Sequence, residues 1–184
     1  YRSRVRDALI PFEVASAPGR QFFRNAGSAD HRGVEAGASA ALGRGVAGRV
    51  AYTWTDARFR RYVVNGTTLD GNRVPGIAPH RVDARLAWES GAGPFAELEG
   101  RYSSAIPVDD ANRFRSPAYT VTDLRTGWEG ARRGTLRASP FVGVSNLLDR
   151  EYNTSVTINA FGGRFYEPGP GRALYAGVNV GWGM

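Results

Sequence analysis

The sequence predicts an all-β chain, an antiparallel up-and-down transmembrane β-barrel segment of about eight strands. Three observations carry that reading. Apolar and polar residues alternate with period two over long runs, beyond the ~5–6 residues usual in soluble sheets and close to the ~9–11 tilted residues that cross a bilayer. The apolar positions are mostly Ala, Val and Leu with aromatic rings near the strand ends, as in a lipid-facing band between two girdles. Short Gly-rich turns alternate with long connections, as the two rims of a barrel do.

The strands follow in order. A less regular one covers about Arg4 to Val14. Val34, Ala36, Ala38, Ala40 and Leu42 then oppose Glu35, Gly37, Ser39 and Ala41, and Val46, Val50, Tyr52 and Trp54 oppose Arg49, Ala51, Thr53 and Thr55. His80 to Glu89 is the clearest: Val82, Ala84, Leu86 and Trp88 lie on one face, Arg81, Asp83, Arg85 and Glu89 on the other. Ala96, Leu98 and Tyr102 oppose Glu97, Glu99 and Arg101; Leu124 and Trp128 oppose Asp123, Arg125 and Glu129. Leu136, Ala138, Val142 and Val144 oppose Arg137, Ser139 and Ser145, and the last strand sets Leu174, Ala176, Val178, Val180 and Trp182 against Tyr175, Gly177, Asn179 and Gly181. Tight turns are expected at Gly43–Gly45, Ser90–Gly93 and Gly130–Gly134. Long extracellular connections are expected at Ala15–His31, Phe59–Pro79, Ser104–Pro117 and Asp149–Gly171.

Composition narrows the function classes. The chain has 184 residues, 42% of them apolar, and no cysteine, so it has neither a disulfide framework nor a Cys-based metal site. All 24 basic residues are arginine and the net charge is +7, yet the arginines are spread among apolar residues rather than gathered in an arm or helix, which argues against nucleic acid. Mean hydropathy is −0.36. No run approaches the ~20 apolar residues of a membrane helix, a test that barrels escape because only alternate residues face lipid. No nucleophile–base arrangement or phosphate loop is present, and His31 and His80 stand apart, so neither an enzyme nor a metal or cofactor site is expected. Asp109, Asp110 and Asn112 read as an Asx-type turn in preference to a Ca²⁺ site. The chain opens on Tyr1-Arg2-Ser3-Arg4, already strand-like, and reads as a piece of a longer protein.

Four segments, in order, resemble the C-terminal third of TonB-dependent outer-membrane receptors. Gly143-Val144-Ser145-Asn146-Leu147-Leu148-Asp149-Arg150-Glu151-Tyr152 is similar to the family's NLFD-x-x-Y element, and Tyr166 through Tyr175 to its PG-x-x-R lead into the last strand. Arg24-Asn25-Ala26-Gly27 followed by Arg32-Gly33-Val34-Glu35 resembles an N-x-G-x…RG-x-E element. Gly71 through Pro75 to His80 resembles a G-x-x-x-P-x-x-P-x-H entry. The resemblance implies an outer-membrane receptor for energised uptake of a scarce nutrient such as a ferric siderophore, haem or cobalamin. In that family a plug fills a barrel of about 22 strands, so residues 1–184 would be the C-terminal part of a larger barrel, with plug and N-terminal strands absent. The implied partners are outer-membrane lipid and lipopolysaccharide, a small-molecule substrate such as a metal chelate, TonB through the missing N-terminal region, and the outer-membrane assembly machinery through the last strand. The family usually ends on an aromatic residue; here Trp182 and Met184 share the lipid-facing parity. Two other readings stay open: a complete small eight-stranded barrel with a structural or adhesion role, and a soluble β-sandwich binding module.

Ligand contacts are expected in the extracellular loops, at Arg20, Arg24, Arg58, Arg60, Arg61, Tyr62, Arg113, Arg115, Arg164 and Tyr166. Guanidinium forks and ring faces suit an anionic, aromatic ligand such as a catecholate iron chelate, and equally suit lipopolysaccharide phosphates. The lumen charges, among them Glu35, Arg49, Arg81, Asp83, Arg85, Glu97, Glu99, Arg101, Asp123, Arg125 and Arg137, are expected to form wetted ion pairs.

Overall fold

The computed structural model describes residues 1–182, with the backbone alone at Ala131–Arg133; Met184 lies outside the described residues. Eight strands form one antiparallel meander in which sequence neighbours are sheet neighbours: β1 (Arg2–Arg6), β2 (Ser28–Gly43), β3 (Val46–Arg61), β4 (His80–Glu89), β5 (Pro94–Ser103), β6 (Tyr119–Trp128), β7 (Leu136–Ser145) and β8 (Ala173–Trp182). This is one sheet without Greek-key crossings, which removes the β-sandwich reading. Among the described residues no ladder joins β8 to β1 or β2, so the sheet is open and the small closed barrel is not what the chain forms.

Register makes the two faces continuous. One row runs Ala38–Val50–Ala84–Gly100–Thr122, and neighbouring rows carry Gly48–Leu86–Leu98–Leu124–Val144–Leu174. Trp88, Trp128 and Trp182 lie on this face beside the short turns, and Tyr52, Trp54 and Tyr102 lie on it near the long connections. Nine residues from Val46 to Trp54 span about 27 Å along the strand, matching the roughly 25 Å apolar band of outer-membrane barrels. The opposite face carries Arg81, Asp83, Arg85, Glu97, Glu99, Arg101, Asp123 and Arg125. Six of these charges pair as expected: Arg85 contacts Glu97 and Glu99, Arg125 reaches Glu97 at 3.8 Å, and Arg101 bonds Asp123 at 2.8 Å.

Nearer the short turns the inner face changes character. The row Phe95–Gly127–Phe141–Gly177 alternates ring and glycine, with Arg125 stacked 5.2 Å from the Phe95 centroid and 4.3 Å from that of Phe141. A Cβ at Gly127 would strike the Phe95 ring and the Pro140 carbonyl, and one at Gly177 would strike Phe141. The rings lie over glycine backbone, a device that pins register where a glycine has no side chain to pack.

Three strand expectations need correction. The run Arg4–Val14 is not one strand: Asp7 takes φ 54° and donates its N–H to Gly27 O, ending β1 at Arg6. Leu9–Val14 then pairs with Ala17–Asn25 as a separate hairpin, so the Ala15–His31 connection is mostly strand. β3 continues to Arg61, beyond the expected loop start at Phe59, because β2 and β3 pair as 16-residue strands that rise past the apolar band. The third tight turn is shorter than Gly130–Gly134, since Ala131–Arg133 still pairs with β7.

Candidate functional site

The four long connections fold into one canopy at the rim. Each carries a short hairpin: Leu9–Val14 with Ala17–Asn25, Val63–Val64 with Thr67–Thr68, Ile106–Pro107 with Arg115–Ser116, and Asn153–Val156 with Tyr166–Pro168. Their apolar residues bury a small core in which Ile10, Ala26, Tyr62 and Leu69 pack on the inward-facing Ala29 and Phe59 of the wall, while Val108, Ala160 and Phe165 form a second cluster.

A polar clasp joins all four. Asn159 Nδ2 donates to Pro11 O and to Asp110 Oδ1, both at 3.0 Å, and Asn159 Oδ1 accepts from the Asp110 N–H at 2.9 Å. The Asn159 N–H donates to Val108 O, and its carbonyl accepts from the Glu13 N–H. Tyr62 hydroxyl donates to Asp110 Oδ2 at 2.7 Å, and Asn72 Nδ2 donates to Asp110 O at 2.9 Å. Asn112 Oδ1 accepts from the Arg73 N–H while Asn112 Nδ2 donates to Arg73 O, a reciprocal backbone bridge. Burial, then the bond to the Asp110 carboxylate, pushes the Tyr62 hydroxyl well above the ordinary tyrosine range. The Asp109–Asn112 segment is a backbone β-turn in place of the Asx-type turn expected: the Asn112 N–H donates to Asp109 O at 3.0 Å with Asn112 at φ 57°, and Asp109 Oδ1 accepts from the Phe114 N–H, five residues on, at 2.8 Å.

The ten residues singled out from sequence fall into separate places. Tyr62, grouped there with exposed loop residues, is only 2% exposed and has its hydroxyl engaged; it is a post of the canopy because its ring packs 4.5 Å from Phe59. Arg20 lies over Phe22 and Arg24 over Phe12, 5.4 and 4.0 Å from the ring centroids, on the first hairpin. Arg58 and Arg60 belong to β3 and turn to the outer face, where they meet Asp56 at 2.9 Å and Asp30 at 3.6 Å. Arg61 is exposed at the end of β3. Arg164 reaches Glu13 at 3.4 Å across two connections. Arg115 and Tyr166 meet across the third and fourth connections, Tyr166 hydroxyl donating to Arg115 O at 3.3 Å, while Arg113 lies 3.6 Å from Asp109 on its own connection. Phe114, half exposed, stacks 5.2 Å from Phe165 beside them.

The motif residues hold the junction of wall and canopy. Asn146 is 2% exposed at φ 50°; its N–H donates to Asp123, its Nδ2 to Arg150 O and Pro170 O, and its Oδ1 accepts from the Arg150 N–H. Asp149 accepts the Arg172 N–H at 2.9 Å, which seats the start of β8. Tyr119 and Tyr152 pack at 5.0 Å, and Tyr152 covers Gly169. They border a cavity of about 660 Å³, of mixed polar and apolar lining, between β6 and the fourth connection. Asn159 and Glu13 were missed from sequence. An Asn between Ile158 and Ala160 is a polar residue in an apolar run, and that was the available signal.

An open antiparallel meander with an outward apolar band between two aromatic girdles, a charged inner face and a folded canopy on one rim is a section of an outer-membrane β-barrel wall. The family model "TonB dependent receptor-like, beta-barrel" matches residues 1–147. The chain belongs to that family. It is 33% identical over 153 residues to the ferrichrome outer membrane transporter/phage receptor of Escherichia coli K12, covering 81% of this chain and 20% of that protein. It is 28% identical over 137 residues to the ferrioxamine B receptor of Salmonella typhimurium, covering 71% and 19%. Among solved structures, the siderophore receptor PiuA from Acinetobacter baumannii superposes with a TM-score of 0.72 at 16% identity over 97% of this chain and 25% of that one. The unliganded ferric citrate transporter FecA gives a TM-score of 0.71 at 21% identity over 83% and 24%. The chain therefore spans a fifth to a quarter of the length of these relatives.

Proposed function

We propose that this chain is the C-terminal wall and part of the extracellular rim of a receptor that imports a ferric siderophore across the outer membrane, with energy delivered by TonB through an N-terminal region outside this sequence. Its relatives are named for ferrichrome and ferrioxamine B, which favours a siderophore over haem or cobalamin. The observation that carries the reading is the clasped canopy. It fixes four connections above a charged lumen yet leaves Arg113, Phe114, Arg115 and Tyr166 exposed together, so cationic forks and ring faces are held in place for an anionic chelate. In this reading residues 1–184 complete a plugged barrel, and the last strand is the part that the assembly machinery reads.

The test is ferric-siderophore affinity and iron uptake by the full-length receptor. Replacing Arg113, Arg115 and Tyr166 by Ala should weaken binding by about a hundredfold or more, since each desolvated charge-assisted contact contributes about 1.5–3 kcal/mol. Wild-type affinity in that variant would move substrate recognition to loops of the preceding strands.

A further inference from the structure

We propose that the lumen face of β2, β3 and β4 holds a binding site for a carboxylate on a short apolar stem, set between Arg49 and Arg85 beside a hollow of three alanines. Register brings these groups together. One lumen row runs Ser39–Arg49–Arg85, and the next row toward the short turns runs Ala41–Ala47–Ala87. All six residues border one recess of about 410 Å³.

Charge placement leaves this pair short of a partner. Arg49 and Arg85 stand directly opposite each other in the β3–β4 ladder, and like charges so placed destabilise a sheet. Arg85 directs its Nη2 and Nε to Glu97 and Glu99, which leaves its Nη1 free. Arg49 makes no ion pair among the described residues, and the carboxylate of the neighbouring row, Asp83, faces Arg101 across the β4–β5 ladder. Arg81 also lacks an ion pair among the described residues, but it faces Thr53 and Ser103, so no like charge opposes it. Arg49 lies within the Val46–Trp54 span that matches the apolar band, which removes a lipid headgroup as its counter-charge. The missing partner is an anionic oxygen group that comes from the lumen side. Two guanidinium forks beside the Ser39 position suit such a group.

The hollow decides what carries the charge. Ala41, Ala47 and Ala87 stand side by side on three neighbouring strands, whereas the same row continues across the wall with the long side chains of Glu97 and Arg125. A bare anion would use the arginines and leave the hollow to water; a carboxylate on a short apolar stem uses both parts. Two sources offer this chemistry: an acidic side chain from receptor segments outside residues 1–184, and a small carboxylic acid from solution. The assignment rests on the lumen orientation of this face and is independent of which substrate is transported.

The experiment uses the full-length receptor in detergent and reads hydrogen exchange at the amides on either side of the pair, Ala47 to Ala51 and Asp83 to Ala87. It is run with and without propionate, and with inorganic phosphate or chloride at equal ionic strength. A site filled by an acidic side chain predicts that Arg49→Gln speeds this exchange by roughly tenfold or more, the loss of one charge-assisted contact. Arg49→Lys should then recover part of the protection, and propionate should change nothing. A site filled from solution predicts that propionate slows exchange in wild type by a similar factor and has no effect on Arg49→Gln. Ala47→Leu, which fills the hollow and keeps both arginines, should reproduce the effect of Arg49→Gln from either source. The proposal is overturned if Arg49→Gln exchanges no faster than wild type and propionate has no effect, the behaviour of a like-charge pair with nothing between. It is equally overturned if phosphate or chloride protects as well as propionate, which assigns a bare-anion site, or if Ala47→Leu leaves the protection intact. Amides of β7 and β8 should keep their wild-type rates in each variant; an equal acceleration there would mean general loosening of the wall and would also sink the assignment.

Discussion

Asn159 gives the sharpest test of the canopy. Its side chain makes three hydrogen bonds: to Pro11 O, to the Asp110 carboxylate and from the Asp110 N–H. The two neutral bonds contribute about 1 kcal/mol each and the one to a carboxylate about 1.5–3 kcal/mol, so removing all three should cost roughly 3.5–5 kcal/mol of local stability. Asn159 also sits at φ 52°, a left-handed conformation that Ala adopts only under strain. Asn159→Gly is therefore the cleaner substitution, because it keeps the backbone comfortable and removes only the bonds. Hydrogen exchange on the full-length receptor reads the result at the amides the clasp protects, those of Glu13, Asp110 and residue 159 itself. At 1.4 kcal/mol per factor of ten they should exchange roughly 300- to 4000-fold faster, while amides of β4 and β5 keep their wild-type rates. Exchange at Glu13 and Asp110 within a few-fold of wild type would refute the clasp as what holds the four connections together.

Other expectations follow from the same geometry. Tyr62→Phe leaves the Asp110 carboxylate one charge-assisted bond short and should loosen the canopy by about 1.5–3 kcal/mol. Because burial raises the folded pKa of Tyr62, its stabilising contribution is complete below the ordinary value of about 10 and is lost only as pH rises toward the folded value; canopy protection, with the base-catalysed rise of intrinsic amide exchange divided out, should stay flat to about pH 10 and fall above it in wild type. Gly127→Ala drives a methyl into the Phe95 ring and the Pro140 carbonyl and should cost about 1–3 kcal/mol in refolding experiments. Val142→Arg, on the outer face, should cost about 2–4 kcal/mol by the same measurement if it lies near the midplane.

Much of the wall could be read from residues alone, for a physical reason. A strand with lipid on one side and water on the other must alternate, so the faces of Val82–Trp88 and Arg81–Glu89 follow directly, and one residue of slip would have reversed them all. Motif residues with turn chemistry, such as Asn146 and Asp149, also fell at strand ends as expected. The canopy was not legible in this way. Whether Leu9–Val14 continues β1 or pairs with Ala17–Asn25 is decided by a single left-handed residue, Asp7, whose conformation local sequence does not fix. Arg58 and Arg60 looked like loop residues because β3 outruns the bilayer, and only the long β2–β3 ladder shows that they face outward. Tyr62 and Asn159 owe their places to partners 48 and 49 residues away, which no local pattern reveals.

The central claim is that each strand presents one face to lipid and the other to the lumen, in the register described. The chain has no cysteine, so single cysteines can be placed here without competing thiols from this region. Spin labels from Arg81 to Glu89 in the full-length receptor, assembled in lipid, report collisions with oxygen dissolved in the bilayer and with a water-soluble nickel complex. Oxygen accessibility should peak at Val82, Ala84, Leu86 and Trp88 and fall at Arg81, Asp83, Arg85, Ala87 and Glu89, a strict period of two. The same period with its phase reversed, or no period at all, would contradict the account.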